Sequence, residues 1–181
     1  MNVHLHHIAV LTHGLSAVEE SLPAELERLG VDVFPSEGTK EQYIDLSASG
    51  RPSLLLIESI GDGPYRNALQ KRGAGLHHIG FVTDHIGNAV DYFAQQRLLL
   101  HPITLKTVAQ GVIWMCRPEI PFLVELVDVA GSEVLQPTRI SLAIPQLRVD
   151  HIDWLPDMSL SRSDNSSIWI STGSVSFHIT P

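Results

Sequence analysis

The chain of 181 residues is 44% hydrophobic and 18% charged, a balance that sustains a packed core and argues against disorder of the whole chain. Its formal net charge is −8 with no Lys/Arg stripe, which speaks against nucleic acid and anionic membranes as partners. The single cysteine, Cys116, precludes an internal disulfide, and the sequence shows no secretory leader and no bilayer-length apolar run, so a cytoplasmic protein is expected.

In chain order, "VHLHHIAV" (residues 3–10) reads as a strand ending at Val10 and Leu11. Leu15, Val18, Leu22, Leu26 and Leu29 follow at helical spacing, with Pro23 kinking or restarting the helix and Gly30 stopping it. "VDVFPS", "QYIDLSA" and "SLLLIES" are strand-like, and "SGRP" joins the last two as a hairpin. Residues 60–75, "IGDGPYRNALQKRGAG", form a linker with a turn, a short helix over Tyr65–Lys71 and a Gly-rich exit. "AGLHHIGF" (74–81) then repeats Leu-His-His-Ile 71 positions after its first appearance, with Thr12 and Thr83 at the same offset. A second helix shows Ile86, Ala89, Val90 and Phe93 on one face, capped by Asp84 or Asn88. "HPITLKT", "GVIWMCR" and "FLVELVD" follow as strands, the last two joined by "PEIP".

Each half therefore reads βαβββ, and the repeat decides the expected fold. It is α+β: two βαβββ modules (1–59 and 76–128), connected by the linker 60–75, form a curved mixed sheet around a metal-binding cleft. A β-rich extension (129–181) follows, with strands in "RISLAI", "SSIWIS" and "SVSFHIT" and a polar loop in "SLSRSDNSS". It packs on the core or on a second subunit.

Strand alternation sends adjacent histidines to opposite faces, so one of each pair reaches a shared cleft and the other lies outside or beneath a helix. A duplicated fold places the equivalent histidines about a pseudo-twofold axis, an arrangement that suits a divalent metal. Glu125, within the apolar run "FLVELVD", is costly there unless paired or ligating. Two His and one Glu are a ligand set that leaves positions open for substrate or water. The remaining histidines (4, 13, 85, 101, 151, 178) read as surface or loop residues.

These motifs resemble the vicinal oxygen chelate superfamily of glyoxalases, bleomycin-resistance proteins and extradiol dioxygenases, and within it most of all the methylmalonyl-CoA epimerases. The most specific stretch is "DGPYRNALQKRGAGLHHIGFVTDHIGNAV" (62–90); "LHHIAVLTHGLSAV", "KEQYI", "AQG" and "LVELVD" match further positions, and the likeness spans about residues 3–128. The resemblance implies a divalent metal (Co, Mn, Ni, Zn or Fe) on His7, His78 and Glu125, with Leu55 where the epimerases have a fourth ligand. It also implies proton transfer next to a carbonyl or acyl-thioester group, with Glu41 and Glu125 as candidate catalytic carboxylates, and a homodimer. The nearby Glu58 is expected on the other face of its strand. Arg66, Lys71 and Arg72 read either as contacts for the phosphates of a CoA-type substrate or as an exposed basic face. Two alternatives stand beside the epimerase-like enzyme: a non-heme iron dioxygenase of the same fold, and a non-catalytic small-molecule binding or resistance protein.

Overall fold

A computed structural model describes residues 2–47, 51–129 and 138–181. The first module contains β1 (Val3–Thr12), α1 (Leu15–Glu19), β2 (Arg28–Phe34), β3 (Thr39–Asp45) and β4 (Ser53–Ser59). A linker helix, α2 (Pro64–Arg72), leads to β5 (Gly75–Thr83), α3 (Ile86–Gln95), β6 (Leu99–Leu100), α4 (Thr104–Thr107), β7 (Val112–Cys116) and β8 (Leu123–Asp128). The C-terminal part adds β9 (Ile140–Ile144), β10 (His151–Ile152), β11 (Met158–Arg162), β12 (Ile168–Ser171) and β13 (Ser176–Ile179). No helix among the described residues is long and apolar enough to cross a membrane.

The two modules share one eight-stranded mixed sheet in the order β2-β3-β4-β1-β5-β8-β7-β6. Within each module the first strand pairs in parallel with the last, β1 with β4 and β5 with β8. The modules meet through the antiparallel pair β1·β5, which places them about a pseudo-twofold axis. One face of the sheet, carrying Ile8, Ile79, Phe81, Val124 and Leu126, is covered by α1, α3 and the five-stranded C-terminal sheet in a single apolar core. The other face carries Ala9, Leu11, Leu55 and Ile57, against which α2 lays Tyr65, Ala68 and Leu69. The linker helix therefore closes one end of the cleft.

Four sequence expectations change. The first helix stops at Glu19, and Leu22 and Leu26 are buried from a turn instead. Leu29 lies in β2, where it is 44% exposed. Pro23, which cannot donate a backbone hydrogen bond within a helix, sits where the helix would have continued. "HPITLKT" is a helical turn rather than a strand: the Thr104 hydroxyl donates to Trp114 O (2.8 Å) and accepts from Trp114 N (2.9 Å), engaging backbone groups of β7 that a neighbouring strand would otherwise pair with. In the C-terminal part, Ser159–Arg162 of the expected polar loop instead pairs in parallel with β9, with Leu160 buried. The second helix begins at Ile86 without a side-chain cap from Asp84 or Asn88. The "SGRP" hairpin lies partly outside the described residues.

Phe93, fully buried, joins the second module to the C-terminal sheet. Its ring meets Phe81 at 5.4 Å, Tyr92 at 5.2 Å and Trp154 at 6.3 Å. Tyr92 also donates its hydroxyl to Trp154 O. Phe93→Ala is expected to cost about 3–5 kcal/mol, as for a large aromatic removed from a packed core, read as a lowered midpoint of urea unfolding.

Candidate metal centre on the cleft face

A β-bulge in each central strand corrects the expectation that one histidine of each pair turns away. His6 is the extra residue in β1, between the pairs Leu5↔Phe81 and His7↔Gly80. His77 is its counterpart in β5, between Ala9↔His78 and Val10↔Leu76. A bulge breaks the period-two alternation and re-aims side chains. Here it brings both rings of each pair together: His6 Nδ1 and His7 Nδ1 are 2.8 Å apart, and His77 Nδ1 and His78 Nδ1 are 2.9 Å apart. Across the module boundary, His7 Nε2 and His78 Nε2 approach to 2.9 Å. Four imidazoles thus form one chain, His6–His7–His78–His77, symmetric about the β1·β5 axis.

Glu125 completes the cluster. Its Oε2 lies 3.4 Å from His7 Nε2 and 3.8 Å from His78 Nε2. The three residues offer donor atoms within 4.8 Å of one another. Bonds of about 2.0–2.2 Å to a common cation put neighbouring donors roughly 3–3.5 Å apart, so this donor set fits a divalent metal. Burial holds the rings neutral: the pKa of His7 falls to about 3 through desolvation, then through the His6 and Arg51 charges, and that of His78 falls well below the usual histidine value for the same leading reason. Burial, with the Glu41 and Glu37 charges behind it, raises the Glu125 carboxyl to about 7.

The ring contacts fix what each nitrogen does. For both Nε2 lone pairs to face a cation, His7 and His78 must each carry their proton on Nδ1 and donate it outward, to His6 Nδ1 and His77 Nδ1. No proton has to leave the rings, since moving from one nitrogen to the other suffices. His77 is braced in turn by Tyr65 of α2, whose ring lies 4.9 Å away.

The surroundings repeat the symmetry, with one break. Tyr43 meets His7 edge-on at 6.2 Å, and Trp114 meets His78 edge-on at 5.0 Å. Leu55 pairs with Ala9, two residues beyond His7, and Glu125 pairs with Gly80, two residues beyond His78. Leu55 is therefore the counterpart of Glu125, on the cleft face and buried at 3% exposure. Glu58 lies toward the helix side, where its carboxylate accepts the Leu15 backbone N–H at 3.0 Å.

Glu41 is not in the cluster. It lies on β3 opposite Ile57, a cleft-face residue, and two positions before Tyr43. The Thr39 hydroxyl donates to it at 2.9 Å, and burial raises its pKa, outweighing that hydrogen bond. Arg66 donates to Ser59 O and Arg72 to Pro121 O, while Lys71 is exposed.

Sequence reasoning missed His6, His77 and Gly80. For the two histidines the signal was present, since the repeat preserves both members of each pair; for Gly80 there was none. Gly80 allows the His7 ring to lie on the neighbouring strand: a Cβ there would sit 2.2 Å from His7 Cε1.

Among known proteins, no family profile matches the sequence, and no curated protein matches it. Solved structures do match. A hypothetical protein from Bacillus halodurans superposes with a TM-score of 0.54 at 22% identity, over 75% of this chain and 99% of that one. A methylmalonyl-CoA epimerase in complex with methylmalonyl-CoA and NH4+ gives 0.52 at 22% identity, over 72% and 97%. A variant of the Streptomyces coelicolor methylmalonyl-CoA epimerase in complex with 2-nitronate-propionyl-CoA gives 0.51 at 23%, over 73% and 98%. The chain has the fold of these proteins, as the resemblance implied, and about a quarter of it extends beyond them.

Two outcomes are expected. Gly80→Ala drives the His7 ring from its place and weakens cobalt or zinc binding on the order of 100-fold, the upper end of what losing a ligand's support costs, by competition with a chelating dye. Below pH 7 a metal must displace the Glu125 proton, whereas the His7 ring stays neutral down to about pH 3. Metal affinity should therefore fall by up to about tenfold per pH unit as pH drops below 7 and level off above it, because one proton is exchanged per cation. The same titration on Glu125→Gln should lose that slope.

Proposed function

We propose that this protein is a metal-dependent, epimerase-like isomerase that moves a proton at a carbon next to a carbonyl or acyl-thioester group. The convergence of His7 Nε2, His78 Nε2 and the Glu125 carboxylate on the cleft face carries this reading. The three would hold a divalent cation, which when bound polarises the substrate carbonyl oxygen. The solved epimerase neighbours hold methylmalonyl-CoA or 2-nitronate-propionyl-CoA, which supports an acyl thioester as the ligand class.

The remaining work falls to this chain's own side chains. Glu41, made more basic by burial on the same face, takes the proton from the carbon beside the carbonyl. Trp114 stands directly across the strand pair from Glu125, and its indole N–H is buried without an acceptor among the described residues. It donates to a ligand oxygen and so holds the acyl group in register. Leu55, Ala9 and Ile57 keep that part of the cleft dry, which strengthens each polar contact inside it. The free thiol of Cys116 suits a cytosolic setting. A homodimer belongs to the same reading, supported by the apolar side chains exposed along β2, Val31 at 49% and Val33 at 52%.

The replacement of a fourth ligand by Leu55 favours one second reading, a non-heme iron dioxygenase, because two His and one carboxylate leave the positions that oxygen chemistry requires. Iron in the purified protein with substrate-dependent oxygen uptake would select it.

The test is to incubate the metal-loaded protein with acyl-CoA thioesters in D2O and follow deuterium at the carbon next to the thioester by mass spectrometry. Exchange is expected in the wild type. In Glu41→Gln it should fall about 10²- to 10⁴-fold, the usual weight of a general base, with metal content unchanged. Equal exchange in Glu41→Gln would remove Glu41 from the mechanism, and none in the wild type with any acyl thioester would remove the isomerase reading.

A further inference from the structure

A cavity of about 400 Å³ opens beside the metal cluster, where the end of α2, the turn between β7 and β8 and the segment after β9 meet. Its inner wall is apolar: Leu11, Leu76, Ile120 and Phe122 are all buried. His77, the outer ring of the imidazole chain, and Leu123, which pairs with His78, form the side toward the metal ligands. The mouth has a different character. Arg72 comes from the linker, and Gln146 and Arg148 come from the C-terminal part.

Charge decides what such a cavity takes. The chain carries a net charge of −8, yet no Asp or Glu lines this cavity and two guanidinium groups do. Arg72 makes its hydrogen bond to a backbone carbonyl, Pro121 O at 3.0 Å, which leaves its charge unneutralised. Arg148 has no carboxylate partner among the described residues. Two unneutralised guanidiniums at the rim of a cleft concentrate an anion, and each presents paired N–H donors matched to a carboxylate or phosphate. An apolar wall behind them selects an anion that carries a hydrocarbon stem. The volume is that of a small-molecule pocket.

We propose that this cavity is an anion subsite that binds a ligand with an apolar stem and a carboxylate or phosphate head, the head held by Arg72, Arg148 and Gln146. The C-terminal part thereby supplies specificity as well as core. The site stands apart from the metal chemistry. Only its use as the place for the anionic end of the substrate rests on the function proposed above, with the stem running past His77 toward the metal ligands.

Isotope-labelled protein would be titrated with butyrate, butyl phosphate and, as an uncharged control, butanol, with and without a chelator, following backbone amide resonances. Both anions, or the one whose head group the site prefers, should shift Gly73–Leu76 and Arg148 and bind at least tenfold more tightly than butanol. Arg148→Ala should weaken the anions about tenfold and leave butanol unchanged. Arg72→Gln should act in the same direction. A tenfold preference between the two anions would identify the head group as carboxylate or phosphate. Equal anion affinities with and without chelator would place binding at this site whatever becomes of the metal reading. Anion affinity unchanged in Arg148→Ala, anion binding lost with the metal, or butanol bound as tightly as butyrate would each overturn the proposal.

Discussion

The antiparallel pairing of β1 with β5 is the contact on which the rest of the molecule depends. It joins the two modules into one sheet, and it carries two bulges related by the pseudo-twofold axis. Without the bulges, His6 and His77 would face away from their neighbours. With them, four imidazoles run across the module boundary at spacings of 2.8, 2.9 and 2.9 Å. A residue inserted into a ladder costs hydrogen bonding, and buried rings that stay neutral surrender their favourable hydration as cations. Both costs recur at equivalent places in the two modules, as expected of a duplicated device that serves a site rather than of an accident of packing.

The device is symmetric and its surroundings are not. Tyr43 answers Trp114 and Leu55 answers Glu125, but among the described residues only the second module supplies a carboxylate beside the rings. The cleft is therefore polar on one side of the axis and apolar on the other. Beside the apolar side, Glu41 lies one strand further out on β3, opposite Ile57. In the proposed function, a ligand placed across this floor would meet His7, His78, Glu125 and Trp114 at one end and Glu41 at the other, with hydrocarbon between. Such a division suits chemistry that stabilises negative charge on an oxygen while a proton is handled at carbon.

Much of this was legible in the sequence because it rests on repetition and strand period. The Leu-His-His-Ile repeat gave the two modules, and Glu125 in an apolar strand stood out as a carboxylate needing a partner. The bulges were not legible, since a strand with an inserted residue has the same composition as one without, and only the partner strand reveals the insertion. Gly80 was silent for a related reason: its role is to be absent beneath a ring from another strand. The first helix was over-read because Leu22 and Leu26 satisfy helical spacing while Pro23 ends the helix. The strand Met158–Arg162 was under-read because its serines resemble a loop unless Met158 and Leu160 are seen alternating into the core.

The proposed function requires one divalent cation held by the Nε2 atoms of His7 and His78 and by the Glu125 carboxylate. Anomalous diffraction from cobalt-soaked crystals tests it directly. One strong peak is expected about 2.0–2.2 Å from all three donors, with the Nδ1 atoms of His7 and His78 still directed at His6 and His77. A peak elsewhere, or none at this position in fully soaked crystals, would contradict it.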